Sequence, residues 1–83
     1  MNYTVVWKTP AKARLTEIWM AAADRAAVTR AADEIDARLR TSPMDMGESR
    51  AAELRIAFIE PLVVEYSVSE PDRLVSIAHV RII

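Results

Sequence analysis

The sequence predicts an α+β fold: an N-terminal strand, a helical hairpin, then a three-stranded antiparallel meander, with the hairpin covering one face of a small, mainly antiparallel sheet. Three observations carry this. The chain opens on a β-branched and aromatic run, Tyr3-Thr-Val-Val-Trp7; an alanine-rich stretch from Ala11 to Arg40 contains no glycine or proline; and three largely apolar runs follow a loop that holds Pro43 and the only glycine, Gly47. At 83 residues the chain reads as one domain, 1–83, near the size below which a single core becomes marginal.

The elements follow in order. Residues 3–7 suit a strand, closed by Thr9 and Pro10. Thr9 is placed to cap a helix and Pro10 fits its first position, after which Ala11, Leu15, Ile18, Trp19 and Ala22 recur at the spacing of one helix face. Val28, Ala32, Ile35 and Leu39 continue the pattern to Arg40. One helix over residues 10–40 would be about 46 Å long at 1.5 Å per residue, against a radius of gyration of roughly 12 Å for a compact chain of this size. A break is therefore expected, and Asp24, the best N-cap in the region, places the turn at 22–24. Residues 41–49 read as a loop. Strands are then expected over 53–60, with Leu54, Ile56 and Phe58 on one side, over 62–68, with Leu62, Val64, Tyr66 and Val68 on one side, and over 74–83.

Composition narrows the function classes. Apolar residues make up 52% and charged residues 28%, the balance of a globular chain and not of a disordered one. Much of the apolar content is alanine and only Tyr3, Trp7, Trp19, Phe58 and Tyr66 are aromatic, so the core is thin and a partner is expected to cover a groove or a sheet edge. The absence of cysteine excludes disulfides, thiolate metal sites and cysteine nucleophiles. Residues 1–8 lack the pattern of a secretory leader and no run approaches the roughly 20 apolar residues of a membrane span, so a cytoplasmic, non-membrane protein is expected. The net charge of −1 offers no global basic field, and any RNA contact must be local.

No glycine-rich phosphate loop and no histidine–glutamate metal pattern occurs, so no cofactor and no metal is expected. His79, the lone histidine, stands two residues before Arg81 on one strand face, where an imidazole beside a guanidinium could move a proton next to a bound phosphate. The alternative is a half-exposed packing histidine. Arg50 and Arg55, if they converge with Arg81, would make an oxyanion patch; the alternative pairs each with a carboxylate such as Glu48, Glu53 or Glu65. Tyr66 is in phase with Leu62, Val64 and Val68, which makes it a core residue with its hydroxyl near a sheet edge, and Trp7 and Trp19 are packing residues.

The order of elements, together with the opening Tyr3 to Trp7, the second helix closing on Ile35-Asp-Ala-Arg-Leu39 before Pro43, the Gly47-Glu-Ser-Arg50 segment, and Leu62 to Val68 running through Asp72-Arg73 into Val75 to Arg81, resembles the RelE/ParE-type toxin family of bacterial type II toxin–antitoxin systems. The resemblance spans essentially the whole chain. It implies a growth-inhibiting, plasmid-stabilising toxin silenced by a cognate antitoxin protein, with a target that is either DNA gyrase or ribosome-bound mRNA, and as the alternative a non-toxic binding or structural module on the same fold. It also implies either a homodimer or a toxin–antitoxin hetero-oligomer. If the chain is an enzyme, the resemblance makes it a ribosome-dependent mRNA endoribonuclease. On that branch Arg55, His79 and Arg81 are the catalytic candidates and Arg50 and Tyr66 the target-binding ones: Tyr66 and Arg81 fall where the family places a tyrosine late in the third strand and an arginine late in the last, and Arg55 where an arginine is common in the second. Against cleavage stand Val63 where the family usually has an arginine, a chain that stops at Ile83 before a terminal tyrosine, and the net charge of −1.

Overall fold

A computed structural model describes residues 2–51 and 54–83, the side chains of residues 50 and 51 excepted. Strand β1 (Thr4–Trp7) leads into helices α1 (Thr9–Ala21) and α2 (Arg25–Thr41), followed by β2 (Glu48–Ala51), β3 (Leu54–Ile59), β4 (Leu62–Ser69) and β5 (Leu74–Ile82). The five strands form one sheet in the order β1-β5-β4-β3-β2, with β1 parallel to β5 and the other neighbours antiparallel. A parallel neighbour needs a crossover, and the chain between β1 and β5 includes the helical hairpin.

The two helix starts have different causes. Asp24 is the N-cap of α2, its Oδ1 accepting from the Ala27 amide at 3.0 Å, and the chain turns where the sequence expects it to. At the start of α1 the expectation fails: the N-cap is Lys8, with no side-chain cap, and Thr9 is already helical. The Lys8 amide donates to the Ile77 carbonyl at 2.9 Å while its carbonyl accepts from the Lys12 amide, so one residue ends the strand ladder and begins the helix. That leaves Thr9 no capping role.

The sheet face under the helices supplies Leu62, Val64 and Tyr66 from β4 and Val75, Ile77 and Val80 from β5; Ala11 and Ile18 of α1 and Val28, Ala31, Ile35 and Leu39 of α2 close over them. The spacing in β5 changes from two to three because the register skips Ala78, with Tyr66 opposite Ile77 but Glu65 opposite His79. This bulge has a consequence for function. Strict alternation from Ile77 would aim His79 and Arg81 under the helices, whereas the extra residue turns Val80 inward and leaves both polar side chains on the open face.

Three further expectations are revised. The loop predicted over 41–49 ends early, because Glu48–Ala51 pairs with β3 as an edge strand; its polar residues need only backbone pairing and show no apolar alternation. Leu54, Ile56 and Phe58 do share a face, but it is the open one, since Ala57 and Ile59 pair with the core residues Val64 and Leu62. The strand start expected at Glu53 lies outside the described residues. Finally, Trp19 is not a core residue: Ile18 turns to the sheet and its neighbour, 100° around the helix, is left 40% exposed beside α2.

Candidate functional site

The five residues singled out from sequence separate onto different surfaces. Arg55 and Tyr66 are register partners on the helix-covered side of the sheet, and both reach the loop after α2. The fully buried Tyr66 donates its single hydroxyl proton to the carbonyls of Pro43, at 2.8 Å, and Met46. Arg55 Nη2 donates to the carbonyls of Met44 at 2.8 Å and Gly47 at 3.4 Å, while its buried Nε meets no acceptor among the described residues. Four carbonyls of one turn are thus held by two side chains of neighbouring strands. Burial pushes the Tyr66 phenol above its ordinary value, opposed in part by the adjacent Arg55 guanidinium, and the phenol stays a proton donor at neutral pH. The loop can lie this close only because residue 47 is glycine: its φ of +76° is left-handed, and a Cβ there would overlap the Ile56 carbonyl.

His79 and Arg81 lie on the opposite, open face. Arg81 Nη1 stands 3.5 Å from Glu65 Oε1, with Arg81 about half exposed and Glu65 largely covered. His79 is directly across the strand pair from Glu65, is exposed, and makes no hydrogen bond or ion pair among the described residues. An exposed imidazole therefore shares a strand face with a guanidinium that a carboxylate already engages, so an anionic ligand must compete with Glu65. Val63, register partner of Arg81, is apolar and buried, and the exposed Phe58 stands opposite it on β3. Arg81 and His79 are brought together; Arg55 and Tyr66 are not brought to them, having the sheet between. Arg50 lies in β2, with its side chain outside the described residues.

Sequence reasoning missed the cleft between the helices. It is lined by Leu15, Thr16, Trp19, Val28, Thr29, Ala32 and Asp33 and encloses about 300 Å³. A signal was present in the phase of Trp19, which follows Ile18 and so cannot share its direction.

No protein-family model matches the chain, and no curated protein matches it. Among solved structures, a chain of the toxin–antitoxin complex RelBE2 from Mycobacterium tuberculosis superposes with a TM-score of 0.84 at 17% identity, over 100% of this chain and 93% of that one. At that identity the correspondence is one of architecture. The order of strand, helical hairpin and antiparallel strands is retained from end to end, and the chain has the RelE-type toxin fold.

Proposed function

We propose that this chain is the toxin component of a type II toxin–antitoxin pair, silenced by a cognate antitoxin protein. The observation that carries the reading is the end-to-end correspondence with a chain crystallised in a toxin–antitoxin complex. Apolar surface left uncovered agrees with a partner, since Trp19, Met20, Phe58 and Ile83 are all exposed on an 83-residue chain.

Of the two targets, ribosome-bound mRNA is the one the open face is less well equipped for, which favours DNA gyrase. Cleavage of a phosphodiester is helped by cations placed to stabilise the charge that develops on the phosphate, whereas Arg81 is engaged by Glu65, Arg55 is turned to the loop, and Val63 occupies the position beside Arg81. A specific observation favours the nuclease reading as the second: the bulge at Ala78 presents His79 and Arg81 together, a proton-transfer group beside a phosphate-binding one. The test is to purify the chain and assay gyrase supercoiling and mRNA integrity during in vitro translation. Loss of supercoiling with intact message supports the first reading; message cleavage that disappears in His79→Ala supports the second. A chain that binds the protein encoded by the gene adjacent to its own but inhibits neither process is the non-toxic module.

A further inference from the structure

On the sheet face that the helices leave open, one row runs in register from Glu48 of β2 through Ile56 of β3 and Glu65 of β4 to His79 of β5. The pair Ser67 and Ser76 lies on one side of that row, and the pair Val63 and Arg81 on the other. Ile56 and Val63 are 6% and 2% exposed although they stand outside the core under the helices, so neighbouring side chains on the open face cover them. Phe58, opposite Val63, is exposed. A guanidinium, an imidazole, an exposed ring and two hydroxyls on one sheet face are parts from which a surface for single-stranded nucleic acid is made, with charge for the phosphates and a ring for the bases. One group does not fit that set. Glu65 lies on the middle strand of the five, its carboxylate 3.5 Å from the Arg81 guanidinium. Its side chain is 26% exposed against 56% for Arg81, and its neighbours Ile56 and Val63 are apolar and buried, so solvent screens its charge less than it would at a rim.

We propose that Glu65 sets the target class of this face: it holds Arg81 and repels phosphate, and so keeps nucleic acid off a surface otherwise equipped for it. This rests on the open face being where the chain meets its target, as in the reading above. Specificity is a difference of affinities, and a repulsive group excludes one class of partner without improving contacts to another. The placement of the pair gives it that effect. At a sheet edge a phosphate could reach the outer cation from solvent, whereas a strand laid over this face from Ser67 and Ser76 towards Arg81 crosses the Glu65 row, in which the carboxylate is directly opposite His79. Glu48, exposed on the edge strand, extends the row with a second carboxylate. The net charge of −1 supplies no wider basic field to overcome the repulsion.

Fluorescence anisotropy of the full chain with a labelled uridine oligonucleotide, over a series of salt concentrations, tests this. Glu65→Gln is expected to bind about 10-fold more tightly than the parent at low salt, with a salt dependence steeper by about one released counterion. Glutamine keeps the size and hydrogen-bonding capacity of the side chain, so the thermal melt followed by circular dichroism is expected to match the parent's. Arg81→Ala added to Glu65→Gln is expected to abolish the gain. Asp33→Asn changes the net charge equally from an exposed position on α2, across the sheet, and is expected to bind as the parent does. The proposal is overturned if Glu65→Gln binds no tighter than the parent, if Asp33→Asn gains as much, or if the gain survives loss of Arg81. Only the chain and the probe are present, so the outcome is separate from the toxin reading: a chain that arrests growth and shows no gain in Glu65→Gln loses the Glu65 assignment alone.

Discussion

Tyr66→Phe removes one oxygen from the middle of the molecule and leaves the ring in place. The hydroxyl is the donor for two carbonyls of the 43–47 turn, Pro43 and Met46, and both residues are buried. Water does not replace it without opening the loop, and Arg55 is already committed to Met44 and Gly47. Leaving a buried acceptor unmet costs about 1–3 kcal/mol, and because the two carbonyls share one proton the loss is that of about one full bond, near 2 kcal/mol. For a domain of this size that is a fall in Tm of about 8–16 °C. Thermal unfolding followed by circular dichroism reads the shift, and native-state hydrogen exchange locates it, with the amides of Ser42 and of residues 44–47 losing protection before those of β4 and β5. A Tm within about 2 °C of the parent would refute the reasoning, since it would mean that the turn is held by packing of Pro43 and Met46 alone.

Other predictions follow from the same geometry. Asp24→Ala removes the α2 cap and is expected to lower stability by about 1 kcal/mol, measured by urea denaturation; no change would mean that the Ala27 amide is served by water equally well. Trp19→Ala is expected to cost about 1–2 kcal/mol, below the 3–5 kcal/mol of a fully buried tryptophan, because two-fifths of the residue is already in solvent; a larger loss would place it in the core. Tyr3 and Tyr66 both have phenols raised above the ordinary value of 10, Tyr3 chiefly by its hydrogen bond to Glu70 and Tyr66 by burial. The folded state then holds these protons more tightly than the unfolded one, so their contribution is intact below pH 10 and is lost as pH rises through the folded values; the alkaline fall in Tm should flatten in Tyr3→Phe and Tyr66→Phe. Arg81→Ala breaks only a half-exposed pair with Glu65, worth about 0–1 kcal/mol, and is expected to leave Tm nearly unchanged; on the nuclease reading it also abolishes growth arrest at equal soluble expression.

Much of the architecture was legible in the sequence because its causes are local. The Asp24 cap, the loop with Pro43 and Gly47, and the in-phase Leu62, Val64 and Tyr66 each act within a few residues, and all reappear in the fold. What was not legible depends on partners distant in sequence. Leu54, Ile56 and Phe58 are the more apolar side of β3, yet they lie on the face away from the helices because β4 brings the stronger core set and fixes the register. The bulge at Ala78 leaves no compositional mark in a run that is apolar at most positions. β2 is a strand only because β3 offers it an edge. The candidate site divides the same way: the shared face of His79 and Arg81 followed from their spacing, whereas the attachment of Arg55 to the 43–47 turn required knowing where that turn returns to the sheet.

The central claim is that the chain is a toxin held in check by a partner, and growth measures it most directly. The chain is placed under an inducible promoter, with and without the adjacent gene under a second one, and colony formation is counted after induction. The account predicts arrest with the chain alone and full recovery when the neighbour is co-expressed. Normal growth on induction of soluble parent chain, or arrest that the neighbour does not relieve, would contradict it.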